Sequence, residues 1–280
     1  MCVKLKGEST VATTVDSPSR SWISLPISSG ATMVPCPWFP EVAAFCSSHR
    51  GVDMGVHLTL NSEWASYRWG PISTHDPASG LLDEEGYLHR RETGAWEHID
   101  PSAAQTEMAA QIERALAAGI DVTHIDTHMS TIIHSKFIRG YVQLALRYRL
   151  PSIMLRRSDA EENPISLDRE TTAIAAKLVA ELETHGMPLI DSMAMLSLDQ
   201  PDERIEQAKQ TLSRLSPGIT HFIIHPSVDT PELRAIAPDW RCRVADYQTF
   251  TDDGMCKWIK NSGLQIIGYR SIREVLRSSV

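Results

Sequence analysis

Cysteine is scarce in this chain, and none of it sits at metal-ligand spacing: Cys2, Cys36, Cys46, Cys242 and Cys256 are five in 280 residues, with no C-x-x-C pair. That excludes a zinc knuckle and argues against a disulfide framework, leaving scattered reduced thiols as the expectation. Long apolar runs are missing too, since no stretch reaches the roughly 18–20 residues that a membrane-spanning helix needs. The opening Met1-Cys2-Val3-Lys4-Leu5-Lys6-Gly7-Glu8 lacks the apolar core of a secretory leader. Positive charge is in deficit, with 27 Lys and Arg against 35 Asp and Glu and a formal net charge of -8. A general nucleic-acid binder needs a basic face to displace counterions, so that class is set aside. Neither G-x-G-x-x-G, nor a P-loop, nor a G-x-S-x-G elbow occurs. What remains is an ordinary globular composition, 42% apolar and 22% charged, long enough to bury a sizeable core. A soluble, acidic, cytoplasmic enzyme is the expectation, without nucleic-acid or membrane partners.

Short apolar runs at 31–34, 54–60, 121–126, 152–155, 189–193, 218–225 and 264–268 are flanked mostly by Gly, Pro or His, which predicts strands. Amphipathic stretches at 40–48, 102–118, 136–148, 168–184, 202–215, 252–261 and 271–278 predict the intervening helices. Pro101 and Pro201 stand at helix starts, while Gly119, Gly186, Gly218 and Gly263 follow helical runs as stops. The alternation predicts one α/β domain on a mainly parallel sheet, most simply a closed or distorted (β/α) barrel, with an open doubly wound sheet as the alternative. Two regions break the pattern. Residues 1–26 form an atypical N-terminal segment before a domain over 27–280, and residues 61–100 form an insertion carrying Trp64, Tyr67, Trp69, Tyr87 and Trp96. Such aromatics suit the apolar faces of sugar rings, with Trp64 and Trp69 as candidate substrate contacts, or they anchor a lid by packing.

The densest polar cluster is Thr123-His124-Ile125-Asp126-Thr127-His128. It ends a predicted strand, where parallel barrels place their chemistry. Extended backbone would turn His124, Asp126 and His128 to one face, and a neutral imidazole beside a carboxylate is a good ligand for a divalent ion. His57 lies in Gly55-Val56-His57-Leu58-Thr59-Leu60, where taken alone it reads as a core histidine, and His225 ends Thr220-His221-Phe222-Ile223-Ile224-His225-Pro226. On three separate strands, these histidines fit a convergent metal or acid–base site. Asp83-Glu84-Glu85 and Glu161-Glu162 read as solvated loop charges, Asp252-Asp253 as a helix cap, and Cys36 and Cys46 as thiols without a base partner.

These three histidine segments resemble the signatures of the YdjC-like carbohydrate deacetylases, the group that includes chitooligosaccharide deacetylase. Met33-Val34-Pro35-Cys36-Pro37-Trp38-Phe39, Arg243-Val244-Ala245-Asp246 and Gly268-Tyr269-Arg270 extend the resemblance over roughly residues 27–275. It implies a distorted (β/α) barrel that uses a divalent metal ion, zinc or magnesium, to remove N-acetyl groups from an amino sugar or oligosaccharide and release acetate. His57 and His128 would then be metal ligands, and His225 the general acid, with His124 and Asp126 beside them. The chain departs from that family in one respect. Members usually open on a strand ending in Asn-Ala-Asp-Asp-Phe-Gly, whose aspartates supply a further ligand and the general base, yet no Asp-Asp occurs in the first 50 residues here. Glu8 and Asp16 are the acidic residues nearest that place. An inactive sugar-binding or regulatory homologue is therefore the rival reading, and a homodimer stays open.

Overall fold

The computed structural model describes residues 27–156 and 167–278. The 1–26 segment with Glu8 and Asp16, and the Glu161-Glu162 pair, lie outside the described residues. Three strands, β1 (Gly30–Thr32), β2 (Met54–Leu58) and β3 (Val122–Thr127), form a parallel sheet in that order. A second parallel pair joins β4 (Ser192–Met195) to β5 (Thr220–Ile223). Residues 151–156 connect the two through single parallel bridges, Ile125 to Ser152 on one side and Leu155 to Ile190 on the other. Backbone hydrogen bonds carry the link: Ile125 N–H donates to the Pro151 carbonyl (3.0 Å), and Ile190 N–H to the Met154 carbonyl (3.1 Å). The predicted strand at 152–155 is thus only a bridging segment, because its neighbours on the two sides engage different residues. The run at 264–268 makes no strand among the described residues. Its end is tied instead by a side chain, the Arg270 N–H donating to Asp53 Oδ2 at 2.7 Å.

All five residues of β2 are buried, as expected for a parallel strand covered on both faces. The covering helices are α1 (Phe39–Ser48), α2 (Glu92–His98), α3 (Pro101–Ala117), α4 (Ile138–Tyr148) and α5 (Arg169–Thr184), followed by α6 (Arg204–Ser213), α7 (Pro231–Ile236), α8 (Trp240–Thr251), α9 (Asp253–Asn261) and α10 (Tyr269–Ser278). Their starts follow local chemistry. Asp100 accepts from the N–H groups of Ser102 and Ala103 ahead of α3, Asp168 from Thr171 ahead of α5, and Asp252 from Met255 ahead of α9. Each satisfies a donor that the first helical turn cannot, worth about 1 kcal/mol. Val56, Leu58 and Ile125 meet Ile112 of α3 and Tyr141 of α4 in the main core, while Phe222, Phe250, Leu212 and Ile259 form a second core around β5. No helix among the described residues is long and apolar enough to cross a membrane.

Inside the sheet, the His124 ring stacks on Tyr269 at 3.9 Å, and the Tyr269 hydroxyl meets His221 Nδ1 at 3.0 Å. The stack passes over Gly55, where a Cβ would stand 2.5 Å from the imidazole, so only glycine lets the ring lie there. At the amino ends of β2 and β3, Arg270 and Arg273 of α10 both pair with Asp121. Arg273 also donates to the Val122 carbonyl at 2.8 Å, and the Thr123 hydroxyl donates to Asp53. The last helix is therefore clamped to the first sheet by charge.

Candidate functional site

Strand register brings the first two groups together. His57 on β2 lies opposite Asp126 on β3, and the Asp126 Oδ1 accepts from His57 Nδ1 at 2.8 Å with both groups buried. His128 follows directly, in a tight turn over His128–Ser130 whose next two residues, Met129 (φ 50°) and Ser130 (φ 57°), are left-handed. The turn swings the His128 ring back over β2, where its Nδ1 stands 3.3 Å from His57 Nε2. On the far side, His128 Nε2 donates to Glu63 Oε2 at 2.8 Å.

The outer nitrogens, His57 Nδ1 and His128 Nε2, each donate to a carboxylate. The inner nitrogens therefore turn lone pairs toward each other, an arrangement that a cation between them satisfies. A tetrahedral ion with Zn–N distances of roughly 2.0–2.1 Å separates two nitrogens by about 3.4 Å, close to the 3.3 Å found here. A carboxylate on the remote nitrogen of each ligating imidazole is the usual support for such a pair. On this geometry the two imidazoles fit a divalent ion. Among the described residues, no group of three or more His, Cys, Asp and Glu is placed to hold one.

His225 follows β5. Its backbone N–H donates to Asp246 Oδ2 (2.9 Å), and Asp246 Oδ1 accepts from Arg204 Nε (2.6 Å), both of these side chains being buried. The ring's Nδ1 is buried with no hydrogen-bond partner among the described residues. Burial holds the imidazole well below the usual histidine range, helped by the positive charge of the Arg243 and Arg204 guanidiniums, so His225 is neutral at rest. Burial by itself raises the Glu63 carboxyl, but the contact and hydrogen bond of His128, with Arg243 behind them, bring it below its ordinary value. Burial, reinforced by Glu63, pushes the Cys36 thiol up, so it offers no thiolate.

The aromatics of the insertion wall the site. The Trp69 ring stands edge-on to His128 at 6.0 Å and donates its Nε1–H to the Asn61 carbonyl (2.9 Å). Trp64 packs against Trp69, and the Arg243 guanidinium lies 5.6 Å from the Trp64 ring, itself held by Asp239. With exposures of 7% for Trp64 and 2% for Trp69, these rings present no open stacking platform in this conformation. Asp83 and Glu85 are not simply solvated, since both pair with Arg68 inside the insertion.

Four sequence candidates thus meet or approach one place, His57, Asp126, His128 and Trp69, with His225 in the same field of charge. His124 lies deeper, stacked on Tyr269. Glu63 escaped notice in the sequence. Its signal was position, three residues past Leu60 in the loop leaving the carboxyl end of β2.

Comparison with known proteins gives the chain's family and fold. The family model described as YdjC-like protein matches residues 26–261. A carbohydrate deacetylase of Thermus thermophilus is 28% identical over 257 residues, covering 90% of this chain and 87% of that protein. A carbohydrate deacetylase of Thermoanaerobacter pseudethanolicus is 24% identical over 219 residues, covering 78% and 77%. Among solved structures, an Enterococcus faecalis protein described for cellobiose-phosphate cleavage shares the fold, with a TM-score of 0.73 at 19% identity, covering 96% of this chain and 98% of that one. With its parallel α/β fold and a family match across most of its length, the chain belongs to the YdjC-like family.

Proposed function

We propose that this protein hydrolyses the N-acetyl group of an amino sugar or oligosaccharide, releasing acetate and a free amine. The observation that carries the reading is the facing pair of ring nitrogens, His57 Nε2 and His128 Nδ1, 3.3 Å apart with a carboxylate behind each ring. The names of its relatives in Thermus and Thermoanaerobacter support the substrate class. His57 and His128 would hold a divalent ion, and two imidazole donors suit zinc better than magnesium. Such an ion, when bound, polarises an amide carbonyl and acidifies water.

His225 does the proton work. Neutral and with an unpartnered Nδ1, it accepts the proton released as water adds to the carbonyl carbon. It returns that proton to the nitrogen as the C–N bond breaks. Both transfers are assigned to this one group on its neutral ring and unpartnered Nδ1. Asp246 fixes the His225 backbone, and Arg204 fixes Asp246. The buried aromatic wall keeps bulk water from the facing nitrogens, and residues 27–280 work as one domain around them.

The test is acetate release from a panel of N-acetylated mono- and oligosaccharides, with zinc, with magnesium and after chelation. Zinc-dependent release is expected, falling by roughly 10²–10⁴-fold in His225→Gln, the usual worth of a general acid–base group. Saturable sugar binding with no acetate release under any metal would establish the inactive, sugar-binding homologue instead.

A further inference from the structure

We propose that Glu63 is a positioning residue, by which the 61–100 insertion sets the tautomer and orientation of His128. The inference rests on the reading of His57 and His128 as an ion-holding pair, and it assigns a role to a residue outside the three histidine segments.

The geometry treats the two imidazoles alike, each buried and each with its outer nitrogen on a carboxylate at 2.8 Å. The carboxylates come from different sources. Asp126 is delivered by strand register, so His57 is oriented by the sheet itself. Glu63 is delivered by a loop, and that loop is pinned at the two residues just before it. The Ser62 N–H donates to the His89 carbonyl at 2.8 Å, and the Ser62 hydroxyl accepts from the Trp69 N–H at 3.0 Å and from Arg68 Nε at 3.2 Å. Asn61 takes the indole N–H of Trp69 on its carbonyl and the Thr131 hydroxyl on its side chain (2.7 Å), three residues past His128. These bonds leave the Glu63 carboxylate little freedom.

His128 has the greater need of such a hold. It opens a turn whose next two residues are left-handed and not glycine, so no ladder hydrogen bond aligns its ring as β2 and β3 align His57 and Asp126. With Glu63 on Nε2, the proton stays there and Nδ1 keeps its lone pair toward His57. Without it, the Nδ1–H tautomer would point a proton at the place where the cation belongs.

The experiment uses the full chain with ¹⁵N-labelled histidine, free of metal at pH 8, and reads ring tautomers from long-range ¹⁵N–¹H correlations, His128 being assigned through His128→Asn. Wild type is expected to hold the proton of His128 on Nε2. In Glu63→Ala, His128 is expected to lose that single tautomer while His57 keeps its own. Glu63→Gln, the same shape with an acceptor oxygen, is expected to retain it in part and guards against a variant that fails to fold. A His128 that holds the wild-type tautomer in Glu63→Ala would overturn the proposal. Zinc titration of the same samples is expected to show affinity weakened about 10–100-fold in Glu63→Ala. If wild type bound no zinc, the metal reading would fail, yet the tautomer shift would still decide the role of Glu63. If zinc bound equally to wild type and Glu63→Ala with the tautomer unmoved, the proposal on Glu63 would fail and the metal reading would stand.

Discussion

Replacing Asp246 by alanine removes the partner of a guanidinium that has almost no access to water. The Arg204 side chain is 3% exposed and that of Asp246 0%, with Nε and Oδ1 at 2.6 Å. Breaking a buried pair from one side costs about 3–5 kcal/mol, because the remaining charge is stranded. Arg204 Nη1 keeps the carbonyls of Ser197 (2.7 Å) and Gln200 (3.2 Å), which places the expected loss near the low end, about 3 kcal/mol. For a chain of this size, that lowers Tm by roughly 5 °C. The Arg204→Met/Asp246→Leu double variant, which buries no charge, should recover most of the loss. Urea unfolding of Arg204→Met, Asp246→Leu and the double variant, beside Asp246→Ala, completes the cycle. A single-variant loss below about 1 kcal/mol, or a double variant no more stable than Asp246→Ala, would refute the reasoning. Because the same carboxylate holds the His225 N–H, acetate release should fall in Asp246→Ala and stay low in the rescued double variant.

Other expectations follow from the same groups. His225 is held neutral by burial and by its positive neighbours, so as pH falls the unfolded chain takes up a proton at this residue first. Its contribution to stability is complete above about pH 6.5 and drains away below it, by up to about 1.4 kcal/mol per pH unit. Unfolding free energies between pH 7 and 5 should fall more steeply for wild type than for His225→Gln, and parallel curves would contradict this. Gly55→Ala drives a methyl into the His124 ring and should cost about 1–3 kcal/mol. His124→Ala in the same chain should relieve that clash, and additive losses in thermal unfolding would rule out steric conflict as the cause. Burial raises the Cys46 thiol to about 11 and that of Cys36 further. Both should stay unalkylated by iodoacetamide at pH 8 in the folded protein, as mass spectrometry of the peptides would show, and labelling at the rate of a free thiol would contradict their burial.

Periodicity and caps made much of the scaffold legible. The Asp100-Pro101 and Asp168 starts of α3 and α5 are written in residue types whose chemistry is local, and so is the strand-end position of Asp126 and His128. The stretch over α7 and α8 was not legible, because Arg243 and Asp246 on α8 are buried as ion-paired groups. In a one-dimensional pattern a buried charge pair looks like solvent-facing charge. Glu63 was hidden for a similar reason: a lone loop carboxylate has no period, and only the fold of 61–100 brings it to His128. Trp64 and Trp69 were visible as aromatics, but whether they open outward or pack inward depends on Asn61 and Arg243, partners that no spacing rule supplies.

The charge clamp beneath the sheet has a kinetic side. Asp53 accepts the Arg270 N–H across 217 residues of chain, and Arg273 reaches Asp121 across 152. At synthesis rates of about 5–20 residues per second, β2 waits roughly 10–40 s on the ribosome before α10 exists to meet it. During that interval the amino ends of β2 and β3 lack the helix that neutralises Asp121 and donates an N–H to Asp53. The nascent sheet therefore carries the Asp121 charge at its base without its arginine partners, and a charge at a strand end discourages premature pairing with other apolar strands. Docking of α10 is then a late, long-range closure whose loop entropy makes folding slow, and a chain that stalls before Arg270 keeps its core open to chaperones.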